Sequence, residues 1–452
     1  MRFKKLMALG LVGAMVAGLV GCGSSGSAKK VDKNKLVVWS LADDLKQFGE
    51  KYEKDHPGKK VEFVKIAPED YLKKIGTALD AGEVEPDIIV GEPQMLPNMY
   101  DKHYFADLSK LGAGEYDGKI VDYVWQAGQD EKGVQRAISY QITPAGFYYR
   151  RDIAKKVFGT EDPEEVGKLF KDYDTILATA QKLQDAGYRI FASDGELQYF
   201  SGNEAWVVND TLNVAQCRKD YMDLCVKLYQ KDYTAFANQW SAPWFQAMSG
   251  PVPLLTKETQ NGVAEEGDVW DEEKFAEATK DIKEKTEVFA YGLPAWGVLS
   301  MRDNVGDNSG KFGVCSGPAY GFGGGTYIGI SELSQKKDFA WDFIKYCTLN
   351  EETADWWIET SQGDTVSLIS ALEKHADDEN PIYGGQKLYK FWQEQAAGID
   401  YSKVTKYDDI IGKAWGDAIT AIKTEQKDKD TAIADFYKEV KSQYPKLKVE
   451  EK

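Results

Sequence analysis

Histidine is scarce in this chain, and the patterns that would make it a metal ligand are missing. The three histidines, His56, His103 and His375, stand far apart and form no HExxH or comparable spacing, which excludes the usual zinc signatures. The glycine run Gly321–Gly325 is not followed by Gly-Lys-Ser or Gly-Lys-Thr, so it is no P-loop. Asp303, Asn304, Asp307, Asn308 and Gly310 lack the alternating oxygens and the closing glutamate of a calcium loop. Among 73 acidic residues no pair is set apart as acid and base. We expect no catalytic residue, no metal and no cofactor.

Positive charge is also short: 56 Lys and Arg face 73 Asp and Glu, a net charge of −17. Such a surface repels nucleic acid and anionic lipid headgroups, so neither is expected as a partner. The leading long apolar run, Leu6 to Val20, is short for a membrane span. Behind Arg2, Lys4 and Lys5 it has the make-up of a secretory signal. It ends in Leu19-Val20-Gly21-Cys22, which resembles a bacterial lipobox, where cleavage precedes a cysteine that is then lipidated. We therefore expect a signal peptide over 1–21 and a lipidated Cys22 with a flexible linker over 22–34. The mature chain would be extracytoplasmic and held to the membrane by its lipid alone. The remaining cysteines, at 217, 225, 315 and 347, read as small buried hydrophobes. Cys217 and Cys225 share one predicted helix about 12 Å apart, too far to bridge.

What is present begins as alternating strands and helices. Leu36-Val37-Val38-Trp39 reads as a buried strand and Leu45, Phe48 and Tyr52 as a helical stripe stopping at His56-Pro57-Gly58, with Asp43 or Asp44 as cap. Val61–Ile66 is a second strand, Leu72, Ile75 and Leu79 a second helix, and Asp87–Val90 a third strand. This order predicts a parallel α/β sheet with ligand-binding loops beyond its strand ends, at Ser40–Asp44 and Gly91–Gln94. Arg136–Arg150 is an aromatic β-rich run broken by Gln141, Thr143, Pro144 and Gly146, as a crossing between two lobes would be.

Those pieces, together with Pro144–Arg150, Gly323–Thr326 and the helix carrying Ala340, Phe343, Ile344 and Cys347, resemble the extracellular solute-binding proteins of ABC transporters. The closest branch is the carbohydrate-binding one that includes maltodextrin-binding protein. The resemblance implies a two-lobed periplasmic-binding-protein-like α/β fold with a ligand cleft and three hinge crossings, near Gln141–Gly146, Gly323–Thr326 and Asn380–Gly385. The first lobe would hold 35–142 and 326–382, the second 146–322 and 386–452. A monomer is expected, with ABC permease subunits as partners.

Aromatic residues are plentiful, with 25 Tyr and 12 Trp. A flat ring packs on the C–H face of a sugar, and the sugar hydroxyls need planar polar partners because unpaired buried polar groups are costly. Trp240 and Trp244 flank a turn and are candidates for ligand contact, whereas Trp206 could line the second lobe or anchor a helix. The resemblance adds Trp296, in a Gly-Pro-Trp-like turn, and Trp415, whose helical stripe alone would make it core. It also implies contacts from Asp43, Asp44, Glu92 and Gln94. Gln141, Thr143, Glu196, Tyr199, Gly324, Gly325 and Thr326 complete the ligand set. Thr143 stands where maltodextrin binders place an acid, which argues against simple maltose specificity. The expected function is capture of a sugar, an oligosaccharide above all, by lobe closure. The alternatives are a noncarbohydrate solute such as a polyamine or organic phosphate, and a surface-anchored glycoside hydrolase.

Overall fold

The computed structural model describes residues 32–202, 204–258 and 272–449. The expected signal peptide and Cys22 lie outside them. Contacts divide the chain into Met1–Lys33 and Asn34–Lys452, and every element below belongs to the second unit.

Strand β1 (Lys35–Ser40) buries Leu36, Val37 and Val38. Helix α1 (Asp44–Asp55) buries the predicted stripe of Leu45, Phe48 and Tyr52 and stops at His56. Strand β2 (Lys60–Lys65), helix α2 (Pro68–Asp80) and strand β3 (Ile88–Gly91) follow. Both β2 and β3 pair parallel with β1, which is what short helical crossovers enforce. Strand β4 (Ala137–Ser139) leads to the break in the aromatic run, and β5 (Ala145–Arg150) opens a second sheet. That sheet is completed by β6 (Arg189–Phe191), β7 (Val288–Pro294) and β8 (Phe312–Cys315) in the order β8-β5-β7-β6. Strand β9 (Tyr327–Ile330) then returns to the first sheet, ordered β2-β1-β3-β9-β4. The three strands expected to be parallel are so, whereas β9 is antiparallel to both β3 and β4. It enters from the side of the second sheet, so it runs opposite to the strands that end there.

Two lobes result. Alternation along β5 sends Tyr148 into the larger core and Phe147 and Tyr149 into the second lobe's outer core. There Phe147 stacks against Phe170 and Phe200 at 4.5 and 4.6 Å. Gly146 is closely packed: a Cβ there would lie 3.0 Å from the Cys315 carbonyl and 3.1 Å from the Trp392 ring, so those neighbours would have to shift. The two sheet-to-sheet connections run side by side: Ala145 N–H donates to Gly321 O, and Gly323 N–H to Thr143 O. Farther on, Thr365 Oγ1 donates to Ile142 O and Ser367 Oγ to Ser139 O, so a third strand of chain flanks the first crossing. Around Asn380–Gln386 the chain has reached β8, where the Gln386 amide pairs with both backbone groups of Val314.

Helices α3 (Gln216–Gln230), α4 (Ala242–Ser249), α5 (Lys337–Thr348), α6 (Glu351–Ser361), α7 (Asp408–Lys423) and α8 (Lys429–Gln443) pack around the sheets. Of the adjacent pair on α6, Trp357 is buried and Trp356 half-buried against Phe48 of α1. Cys225, Cys315 and Cys347 are buried free thiols, whereas Cys217 is only half-buried. No helix among the described residues is long and apolar enough to cross a membrane.

Candidate functional site

The ends of β1 and β3 meet the crossings at one place. Asp44, at the start of α1, accepts from Tyr140 Oη at 2.7 Å and from Thr326 Oγ1, joining both crossings to the first lobe. Its other oxygen, Oδ1, is buried without a partner, as is Oε1 of Gln141. Thr143 donates from Oγ1 to Gly324 O, and its N–H is taken by Tyr123 Oη. Gly324 and Gly325 have φ of +65° and +121°, a backbone that side chains resist. A Cβ on Gly325 would lie 3.6 Å from Thr143 and 3.7 Å from Pro93. Glu92 and Gln94 flank that proline, and Gln94 Nε2 donates to Glu92 Oε2 at 2.6 Å. Burial pushes the Glu92 carboxyl up, and the nearby charges of Asp44 and Asp409 add to it.

Asp43 stands apart. It does not cap α1 as its position predicts; its exposed carboxylate pairs with Lys65 of β2 instead.

The second lobe presents rings. Trp296 is half-buried, and its indole N–H donates to Gly323 O at 2.8 Å, fixing the plate to the return crossing. Trp240, 41% exposed and at φ +69°, stacks on it with centroids 5.8 Å apart and planes at 26°. Tyr199 packs against the same crossing so closely that a Cβ on Gly323 would lie 2.1 Å from its ring.

Trp244 and Glu196 do not reach the cleft. Trp244 is fully buried beneath Trp240, and its indole N–H donates to Glu196 Oε1 at 2.7 Å. Glu196 Oε2 accepts from Gln239 Nε2 and Gly292 N–H, both at 2.8 Å. The carboxylate thus holds the residue before Trp240 and the strand that delivers Trp296. Burial pushes it up to about 8 against the pull of these donors. Trp415 is core, as its stripe indicates, packed between Trp206 at 6.1 Å and Phe436 at 4.9 Å. So the structure gathers Asp44, Glu92, Gln94, Gln141, Thr143, Tyr199, Trp296, Gly324, Gly325 and Thr326 at the crossing, and sets Asp43, Glu196, Trp244 and Trp415 elsewhere.

Sequence reasoning missed Gln239, which no motif marks, and Tyr401, which packs in the larger core and whose hydroxyl donates to Pro93 O at 2.7 Å. It also missed Tyr320, half-exposed beside the glycine run that could have flagged it. Two cavities lie near Tyr401 and its neighbours, and neither is lined by the tryptophan plates. One, of about 970 Å³, is lined by Tyr100, Arg136, Tyr401 and Tyr407. The other, of about 380 Å³, adjoins Gln94, Tyr199 and Tyr320. Among the described residues no cluster of His, Cys, Asp or Glu could hold a metal ion.

Comparison with protein families matches residues 47–381 to the bacterial extracellular solute-binding proteins. No curated protein matches. Among solved structures, an extracellular solute-binding protein of family 1 is 18% identical with TM-score 0.70, covering 90% of this chain and 99% of its own. The ABC-transporter-associated binding protein of B. animalis subsp. lactis Bl-04, solved with β-1,6-galactobiose, is 20% identical with TM-score 0.67, covering 92% and 100%. The galacto-N-biose/lacto-N-biose I-binding protein of Bifidobacterium longum is 16% identical with TM-score 0.66, covering 92% and 98%. At these identities the likeness is one of fold.

Proposed function

The chain belongs to the bacterial extracellular solute-binding proteins, an extracytoplasmic family, and from that premise we propose that it captures an oligosaccharide between its lobes and delivers it to an ABC transporter permease. The observation that carries this is the Trp240–Trp296 stack anchored on the return crossing. Two roughly parallel indoles offer apolar plates to sugar rings, and the orphan oxygens of Asp44 and Gln141 are acceptors for hydroxyls. Structural relatives solved with galactobiose and lacto-N-biose bind ligands of this class.

The mechanism is capture without bond chemistry. Ligand docks on one lobe, and contacts completed only on closure shift the population toward the closed form. Micromolar affinity requires about 8 kcal/mol from those contacts. The crossings at Gln141–Gly146, Gly323–Thr326 and Asn380–Gly385 serve as hinges between the lobes proposed from the sequence, and the protein acts as a monomer. Cleavage before Cys22 and its lipidation tether the protein to the membrane; in cells fed labelled palmitate, Cys22→Ala would carry no label.

Calorimetry against xylo-, manno-, malto- and galacto-oligosaccharides, with spermidine and glycerol phosphate as controls, tests the binding. At least one glycan is expected to bind at micromolar concentration. A control binding while every glycan stays weaker than about millimolar would overturn the sugar assignment.

A further inference from the structure

Arg218 lies in the first turn of α3 and is only 7% exposed, a burial that arginine rarely shows without a counter-charge. Its guanidinium stacks 3.7 Å above the Trp206 ring, and Nη2 donates to the backbone oxygen of Glu204. The Nε–H is buried without a partner. Among the described residues it makes no ion pair. The acids whose charge reaches it are Asp408, whose Oδ1 accepts from both the N–H and the hydroxyl of Thr405, and the exposed Glu204. Burial pushes the Asp408 carboxyl up to about 6, and the Arg218 charge pulls against that rise.

This arginine lines the 380 Å³ cavity that Gln94 and Tyr199 share with the candidate site. Tyr199 is the divider, with the tryptophan-anchored crossing against its ring and the cavity beside it. A ligand lying along the lobe boundary past Tyr199 therefore reaches Arg218. The other charged groups of the cavity, Glu204, Asp400, Lys403, Asp409 and Lys413, are exposed and hydrated.

We propose that this cavity is a subsite for a carboxylate carried by the ligand, so that the captured oligosaccharide bears a uronic acid residue. The inference rests on the sugar-binding function proposed above. A planar guanidinium matches a planar carboxylate with paired hydrogen bonds, and with Nη2 bonded to Glu204 O the remaining N–H groups of Arg218 are the donors for them. A dianionic phosphate fits less well, because one buried cation would meet it amid the exposed acids Glu204, Asp400 and Asp409.

The test is calorimetry of the mature chain with ligand pairs that differ in the carboxylate: 1,4-linked galactobiose against digalacturonate, and xylotriose against its glucuronyl-substituted form. The uronate of at least one pair is expected to bind about tenfold tighter or more, the worth of a hydrogen-bonded charge. That preference should weaken steeply between low salt and about 0.5 M NaCl, as an ionic contact does. Arg218→Met should shrink it to less than about twofold, and Arg218→Lys should keep part of it. Neutral glycans binding with no uronate preference overturns the subsite alone, and no glycan of either kind binding overturns the sugar assignment with it. If Arg218→Met fails to fold, the wild-type pair comparison and its salt dependence still decide, and a salt-independent preference counts against the proposal.

Discussion

The two sides of the candidate cleft are built on opposite principles. The first lobe contributes polar side chains in a hydrogen-bond network: Asp44 tied to Tyr140 and Thr326, Glu92 tied to Gln94. The second contributes rings, and its polar groups are hidden beneath them, with Glu196 bonded to Trp244, Gln239 and Gly292. The polar side keeps two buried acceptors unpartnered, whereas the aromatic side bonds both oxygens of its carboxylate internally. On the proposed function, orientation of hydroxyls and packing of ring faces would be divided between lobes, and a ligand would satisfy both only when the lobes close.

The sharpest way to break the aromatic side is to remove its hidden support. Glu196→Ala strands three buried donors and should cost about 3 kcal/mol or more of stability by urea denaturation, with an altered tryptophan emission spectrum. Trp296→Ala removes a plate directly. We expect glycan affinity to fall roughly thirtyfold, about 2 kcal/mol, with the melting point changed far less than in Glu196→Ala. Unchanged affinity would deny Trp296 the stacking role.

A gentler probe is pH. The Glu196 carboxyl, about 8 in the folded chain against an ordinary 4.5, holds its proton more tightly when folded. Its contribution is therefore fully present below about pH 4.5 and is lost as pH rises toward 8. Relative to Glu196→Gln, wild-type stability should decline across that window, by up to about 1.4 kcal/mol per pH unit. A flat difference would mean that the three donors outweigh burial. At the small end, Asp43→Ala should change stability by less than about 0.5 kcal/mol, since Asp43 and Lys65 are both well exposed.

Much of the first lobe was legible because it is local. Leu45, Phe48 and Tyr52 announce α1 by spacing alone, and the polar break at Gln141–Gly146 shows where one sheet gives way to another. The polar half of the site was legible for the same reason, since it sits where predicted strands end. The aromatic half was not. Trp240 and Trp244 look equivalent in the chain, yet one is 41% exposed and the other fully buried. Glu196 and Asp44 are both acids after a strand, but only the second leaves an oxygen unspent at the crossing.

By itself the sequence determined many of the elements and the break between two sheets, because periodicity and turn chemistry are properties of consecutive residues; the family it suggested only by resemblance. Tertiary structure alone decided which of the paired tryptophans is exposed, that Glu196 bonds to both tryptophan segments, and that Arg218 is buried without an ion pair among the described residues. Those outcomes depend on partners far away in the chain, Gln239 and Gly292 for Glu196 and Trp206 with Asp408 for Arg218, and no local pattern encodes which distant groups will share a dry interior.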